Sequence, residues 1–144
     1  MSLKDKNAVV TGGSRGLGLG LVEALVAYGT KVTVVARGAE ALDSVRARLG
    51  VATISADVTD ETAAHRILAE LRPDILVLNA GATPPTGGLD QLSWVDFTAP
   101  WEHDVKAGFY WLQAALNQPL KPGSRVLVVS SGAADENGSP MSGG

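Results

Sequence analysis

The 144-residue sequence contains no cysteine, which removes disulfides and thiolate metal sites from consideration. Histidine is nearly as scarce. His65 and His103 stand far apart, so no zinc-type cluster is expected and no metal is assigned. Aromatic residues make up 5% of the chain, leaving the core to Val, Leu, Ala and Ile. Lys and Arg form no cluster and the net charge is −3, which argues against a nucleic-acid partner, because the phosphate backbone is bound by grouped cations. No apolar run approaches the roughly 20 residues of a membrane span. The opening "MSLKDKNAVV" carries no apolar leader segment. A soluble cytoplasmic protein with no membrane partner is therefore expected. A hydrophobic content of 45% is ordinary for a globular protein, and the length suits a single domain spanning residues 1–144.

What is present is a regular alternation. Valine-rich runs at residues 7–11 ("NAVVT"), 31–36 ("KVTVVA"), 51–55 ("VATIS"), 74–79 ("DILVLN") and 125–130 ("RVLVVS") read as strands. Between them, helix-spaced apolar positions fall at 17–28, 39–50 and 60–72, and a longer helix is predicted at 98–117. Glycines 29 and 50 close the first two helices. Acidic residues open the third, as suits a helix N-terminus, and Pro73 follows it. Residues 80–92 form a Gly/Pro-rich loop. Strands alternating with helices imply βαβ units and a parallel sheet. "ILVL" and "VLVV" are apolar without alternation, so both sheet faces are covered. The fold class is α/β, a doubly wound parallel sheet of about five strands with helices on both faces.

The stretch "VVTGGSRGLGLG" at residues 9–20 admits several readings. Gly12, Ser14 and Gly16 fit G-x-S-x-G, the nucleophile elbow of a hydrolase. Such a serine needs a histidine and an orienting acid, and nothing in the sequence singles out His103 for that part. The phosphate-binding P-loop fails, because Leu19 and Gly20 stand where Lys and Ser/Thr belong. The strict G-x-G-x-x-G spacing is also missing. A plain glycine-rich turn remains open. The position is more telling than the letters. The loop follows the first strand and opens the first helix, where free N–H groups and a partial positive charge receive phosphate.

What does fit is T-G-x-x-x-G-x-G, carried by Thr11, Gly12, Gly16 and Gly18. This resembles the cofactor loop of the short-chain dehydrogenases/reductases. Further matches follow in order: Asp57-Val58 after the third strand, Asn79-Ala80-Gly81 after the fourth, and Ser130-Ser131-Gly132 after the fifth. The resemblance implies a Rossmann-type sheet in the order 3-2-1-4-5 and a nicotinamide dinucleotide cofactor. It implies cofactor contacts from Thr11, Gly12, Ser14, Arg15, Gly16, Leu17, Gly18, Asp57, Val58, Asn79, Ala80 and Gly81, with Asp57 accepting from the adenine amino group. A carboxylate is a sound acceptor for that group, although Asp57 or Asp60 could instead serve only as a helix cap. Asn79 would brace the sheet. Ser131 aligns with the catalytic serine that holds the substrate oxygen.

The second strand ends in Ala36-Arg37-Gly38, with no acid before Glu40. A carboxylate there would favour the bare ribose of NAD, whereas Arg37 and Arg15 suit a 2′-phosphate. NADP rather than NAD is therefore the expected cofactor. The activity implied is hydride transfer between NADP and a small carbonyl or alcohol substrate.

Two departures qualify the resemblance. Where relatives carry a catalytic Asn in the long helix, this chain has Asp104, which when ionised only accepts. The family's Tyr-x-x-x-Lys is expected at or just past Gly144, so the domain reads as incomplete at its C-terminus and this chain alone as inactive. Tyr28 and Tyr110 are not placed for that task. A non-catalytic dinucleotide-binding module or partner subunit is the alternative reading. In the long helix, Trp101, Val105, Phe109, Leu112 and Leu116 are expected to face the core. Tyr110, Trp111 and Ala114 lie on another side, either as extra core or as a contact in a homo-oligomer. The fifth strand would form an uncovered edge.

Overall fold

Consecutive valines must point to opposite faces of a strand, and here each face receives its own cover. The structure is a computed structural model that describes residues 2–131. Strands β1 (Asn7–Thr11), β2 (Lys31–Ala36), β3 (Ala52–Ser55), β4 (Ile75–Leu78) and β5 (Arg125–Val128) form one sheet in the order β3-β2-β1-β4-β5. Every strand pair is parallel. On one face Ala8, Val10, Val32, Val34, Ile75 and Val77 pack with Val22 of α1 (Gly16–Ala27) and with Leu42 and Val45 of α2 (Ala39–Leu49). On the other, Val9, Val35, Leu76 and Leu78 pack with Ile67 and Leu68 of α3 (Glu61–Leu71) and with Trp111 of α5 (Lys106–Asn117). This is the doubly wound Rossmann-type sheet that the resemblance implied, in the same strand order.

The strand starts are stitched together at Asp74. Its carboxylate accepts from the Asn7 N–H at 2.8 Å, its own N–H donates to the Asn7 carbonyl, and its carbonyl accepts from the Arg125 N–H. Lys121 Nζ lies 3.7 Å from the carboxylate. The Asn7 hydrogen bond, aided by Lys121 and Lys6, holds the Asp74 carboxyl below the usual carboxylate range despite the opposing effect of burial.

The long helix departs from expectation twice. It begins earlier, at Trp94, because Ser93 caps it by accepting from the Asp96 N–H at 3.1 Å, while its hydroxyl donates to the Asp96 carboxylate. Ser93-x-x-Asp96 is the capping-box spacing, a signal already present in the sequence. The helix is also not continuous. α4 (Trp94–Pro100) gives way to a π-helical turn, Trp101–Val105, before α5 begins. The ladder widens immediately after Pro100, which lacks an N–H and crowds the carbonyl four residues before it.

The predicted core stripe is on the wrong side. Trp101, Val105, Phe109, Leu112 and Leu116 are all exposed, Leu116 by 79%. The buried face is Ala107, Trp111 and Ala114, packed against α3. Small alanines let the two helices approach closely, and the Trp111 indole N–H finds the Val58 carbonyl at 3.1 Å. That bond satisfies the polar end of the largest fully buried side chain. Trp111 and Ala114 are thus core rather than a surface open to a second subunit. β5 lies at the sheet edge with Val126, Leu127 and Val128 exposed, as the strand order implied.

Denaturant unfolding should rank substitutions by this burial. Trp111→Ala is expected to cost about 3–5 kcal/mol and Trp111→Phe about 1 kcal/mol through the lost hydrogen bond, whereas Leu116→Ser should stay within about 0.5 kcal/mol. Because the Asp74 carboxyl is lowered from 3.8 in the folded state, its stabilisation is complete above that ordinary value and fades as pH falls through the folded value. Asp74→Asn should therefore be less stable than the parent at pH 7, with the gap closing below about pH 4. A constant gap across that range would contradict the assignment.

Candidate functional site

In a doubly wound sheet the chain leaves the central strand in opposite directions, opening a crevice at the carboxyl ends of the strands. Here that switch lies between β1 and β4, the neighbours at the centre of the order. A crevice of about 450 Å³ occupies this place. A second depression of similar size, about 470 Å³, lies at the opposite end of the strands, among residues such as Asn7, Lys31 and Pro73.

The two sides of the switch are held close together by few atoms. Thr11 Oγ1 accepts from the N–H groups of Asn79 (3.1 Å) and Ala80 (3.2 Å) and donates to the Val77 carbonyl at 3.4 Å. Asn79 Nδ2 donates to the Gly12 carbonyl at 3.1 Å. Gly12 has φ +66, and a Cβ there would stand 2.7 Å from the Ala80 Cα. A Cβ on Gly18 would overlap both the Gly12 carbonyl and the Asn79 amide. These two positions admit only glycine.

Above this base the loop is open. Ser14, Arg15, Gly16, Leu17 and Gly18 line the crevice with Gly12. Arg15 caps α1 through its backbone alone, no side chain caps the helix, and no acid stands in its first turn. The leading N–H groups are therefore turned to whatever the crevice holds, together with the positive end of the helix dipole. A Cβ on Gly16 would meet nothing within 4 Å. These features fit an anionic diphosphate group. Arg37 and Gly38 continue the wall beyond β2, and Ala36, Ala41, Ala56 and Val58 supply apolar lining. Asn79, Ala80 and Gly81 form the opposite wall.

The placement corrects or refines several expectations. Thr11 is 2% exposed and does not line the crevice, so it braces the site from beneath rather than touching a ligand. Its hydroxyl is already spent on backbone groups. Asp57 lies beside the lining residue Val58 but outside the lining itself. Its Oδ1 accepts from the Thr59 N–H (2.9 Å) and hydroxyl (2.7 Å). These bonds, backbone first, together with Arg37 and His103, lower its carboxyl pKa against a small opposing effect of burial. The α3 cap is Asp60, which accepts from the Thr62 and Ala63 N–H groups, so Asp57 is not consumed in capping. Ser131 follows β5 on the exposed rim, outside the crevice lining. Its neighbours from 132 to 144, including the expected position of the Tyr-x-x-x-Lys motif, lie outside the described residues.

Asp104 sits in the π turn. Its Oδ1 accepts from the Ala82 N–H at 2.7 Å, tying the helix to the loop after β4 beside Gly81. The same oxygen lies 2.9 Å from His103 Nδ1. His103, which no sequence signal marked, lines the crevice. Ser14 lines it too, yet no hydrogen bond joins the two among the described residues. Ser14 also lacks the positive φ of a strained elbow, which removes support from the hydrolase reading. Among the described residues no group of three or more acids and histidines could hold a metal ion, and no helix is long and apolar enough to cross a membrane.

The profile of one family, short chain dehydrogenase, matches residues 6–143. The chain belongs to the short chain dehydrogenase family. Among curated relatives it is 34% identical to gluconate 5-dehydrogenase of Gluconobacter oxydans (strain 621H), over 88% of this chain and 53% of that protein. It is 35% identical to a probable oxidoreductase of Streptomyces lividans, over 92% of this chain and 47% of that protein. This short chain dehydrogenase thus spans about half the length of those relatives. Its fold matches the crystal structure of a short-chain dehydrogenase/reductase of glucose/ribitol dehydrogenase type from Brucella melitensis, with TM-score 0.88, 25% identity and coverage of 98% of this chain and 63% of that one. It also matches a blue fluorescent protein from a metagenomic library, solved in complex with NADPH. In that case the TM-score is 0.79 and the identity 27%, over 99% of this chain and 62% of the other.

Gly18→Ala should lower the midpoint of thermal unfolding and abolish ligand binding at the crevice, because the added methyl displaces Asn79 from Gly12. Gly20→Ala, where a Cβ meets nothing within 4 Å, should leave both unchanged. Equal behaviour of the two variants would refute the close-approach argument.

Proposed function

We propose that the crevice binds NADP(H) and that the protein is an oxidoreductase exchanging a hydride between that cofactor and a small carbonyl or alcohol substrate. The observation that carries the cofactor choice is the pairing of Arg15 and Arg37 on the crevice lining, with no carboxylate at the end of β2. The α1 N-terminus and the glycine loop receive the diphosphate. Arg15 and Arg37 supply charge-assisted hydrogen bonds to a ribose 2′-phosphate, a group that an acid at the same place would repel. Val58 and Ala56 pack against the adenine, and the Asp57 Oδ2 that Thr59 does not engage accepts from its amino group. Asn79, Ala80 and Gly81 leave room for the ribose beyond the switch.

When bound, NADPH supplies the hydride. The Ser131 hydroxyl, on the rim after β5, donates to the substrate carbonyl oxygen and holds it polarised. Asp104 fixes the Ala82 N–H, and with it the wall that faces the reacting end. Neither Tyr28 nor Tyr110 lines the crevice, so neither delivers the proton that completes a reduction. That donor lies beyond the described residues. A homo-oligomer in the cytoplasm is the setting we infer, as the resemblance implied.

Binding of NADPH and NADH to the intact protein can be compared by calorimetry. Each charge-assisted bond contributes about 1.5–3 kcal/mol, so Arg37→Ala or Arg15→Ala should weaken NADPH about 10- to 100-fold and leave NADH nearly unchanged. Equal loss for both cofactors would contradict 2′-phosphate recognition, and no heat with either would end the dinucleotide reading. Ser131→Ala should abolish turnover of a ketone panel while preserving NADPH binding.

A further inference from the structure

The crevice lining includes one titratable ring that neither the glycine loop nor the arginine pair explains. His103 is 19% exposed in its side chain and lines the crevice with Val58, Ala80, Gly81 and Ala82. Its Nδ1 is held 2.9 Å from Asp104 Oδ1. That same carboxylate oxygen is itself anchored by the Ala82 N–H at 2.7 Å, so the ring is fixed to the wall. A carboxylate only accepts, so Nδ1 carries the proton of the pair, and in the neutral ring Nε2 is the acceptor. Nε2 has no partner among the described residues. On the other side, His103 is near enough to Asp57 to favour its ionised form, and Asp57 likewise leaves one oxygen unengaged by Thr59. Two acceptors therefore look toward one end of the crevice, the end between β3 and β4.

We propose that His103 is a specificity-determining contact for the base of the dinucleotide, its Nε2 accepting a hydrogen bond from the exocyclic amino group of adenine and so selecting an amino-bearing purine over an oxo-bearing one. This rests on the dinucleotide reading above. The Asp104 carboxylate is the positioning group: it sets the tautomer and prevents the ring from presenting an N–H to the base. A hypoxanthine base offers a carbonyl oxygen where adenine offers the amine. It would then set acceptor against acceptor, leaving buried polar groups unpaired, a loss larger than that of an apolar contact.

The test titrates the intact protein at pH 8 with NADPH and with its deaminated analogue, in which hypoxanthine replaces adenine. The parent protein should prefer the adenine form by about tenfold or more. His103→Ala should weaken NADPH about tenfold while changing the hypoxanthine form little, which collapses the preference. His103→Asn, which keeps a side-chain acceptor, should restore part of it. Thermal unfolding of each variant confirms that the fold is retained, and the Asn variant keeps the question answerable if Ala is unstable. Equal weakening of both forms, or no change in their ratio, overturns the assignment while leaving the cofactor site standing. Failure of the parent protein to bind either form overturns both.

Discussion

The structure depends on how closely the β1 turn approaches the end of β4. In the order β3-β2-β1-β4-β5 these two strands are neighbours whose connections leave in opposite directions, so their carboxyl ends would splay apart without a tie. The tie is Thr11, whose one hydroxyl oxygen meets two N–H groups and a carbonyl of the partner strand and its exit. Asn79 answers with its amide on Gly12. Both bonds require that Gly12 and Gly18 carry no side chain. Everything above the tie, from the open α1 N-terminus to the alanine-lined wall, takes its position from it.

Much of this was legible in the sequence. The strands were marked by valine-rich runs apolar on both faces, and the sheet order and the glycine loop followed from the family resemblance. The parts that were not legible share a cause. Helix α5 has two apolar faces, and hydrophobicity does not choose between them. The choice was made by size, since Ala107 and Ala114 permit contact with α3, and by the one indole that finds a carbonyl at Val58. The bulkier stripe was left outside. Thr11 looked like a ligand contact because it belongs to the loop motif, yet its hydroxyl serves the backbone. His103 carried no signal because its partner, the Ala82 loop and the crevice are brought together only by the tertiary fold.

Charge is distributed along the crevice with similar economy. Arg15 and Arg37 stand on its cationic side, at the glycine loop and the end of β2. Asp57, Asp104 and His103 offer acceptors on the other side, and Thr59 holds the Asp57 carboxylate ionised. Donors and acceptors are thus segregated within a space of about 450 Å³, which gives an asymmetric ligand a single direction in which to lie.

The π turn at Trp101–Val105 has a consequence for how this segment can change over generations. A π turn holds one residue more than an α turn between its bonded groups. Losing a single codon there would restore a regular helix and rotate all that follows by about 100°, carrying Trp111 away from α3. The outward side chains of the turn are free to vary in kind, but the number of residues is not, so substitutions should accumulate where insertions and deletions are purged.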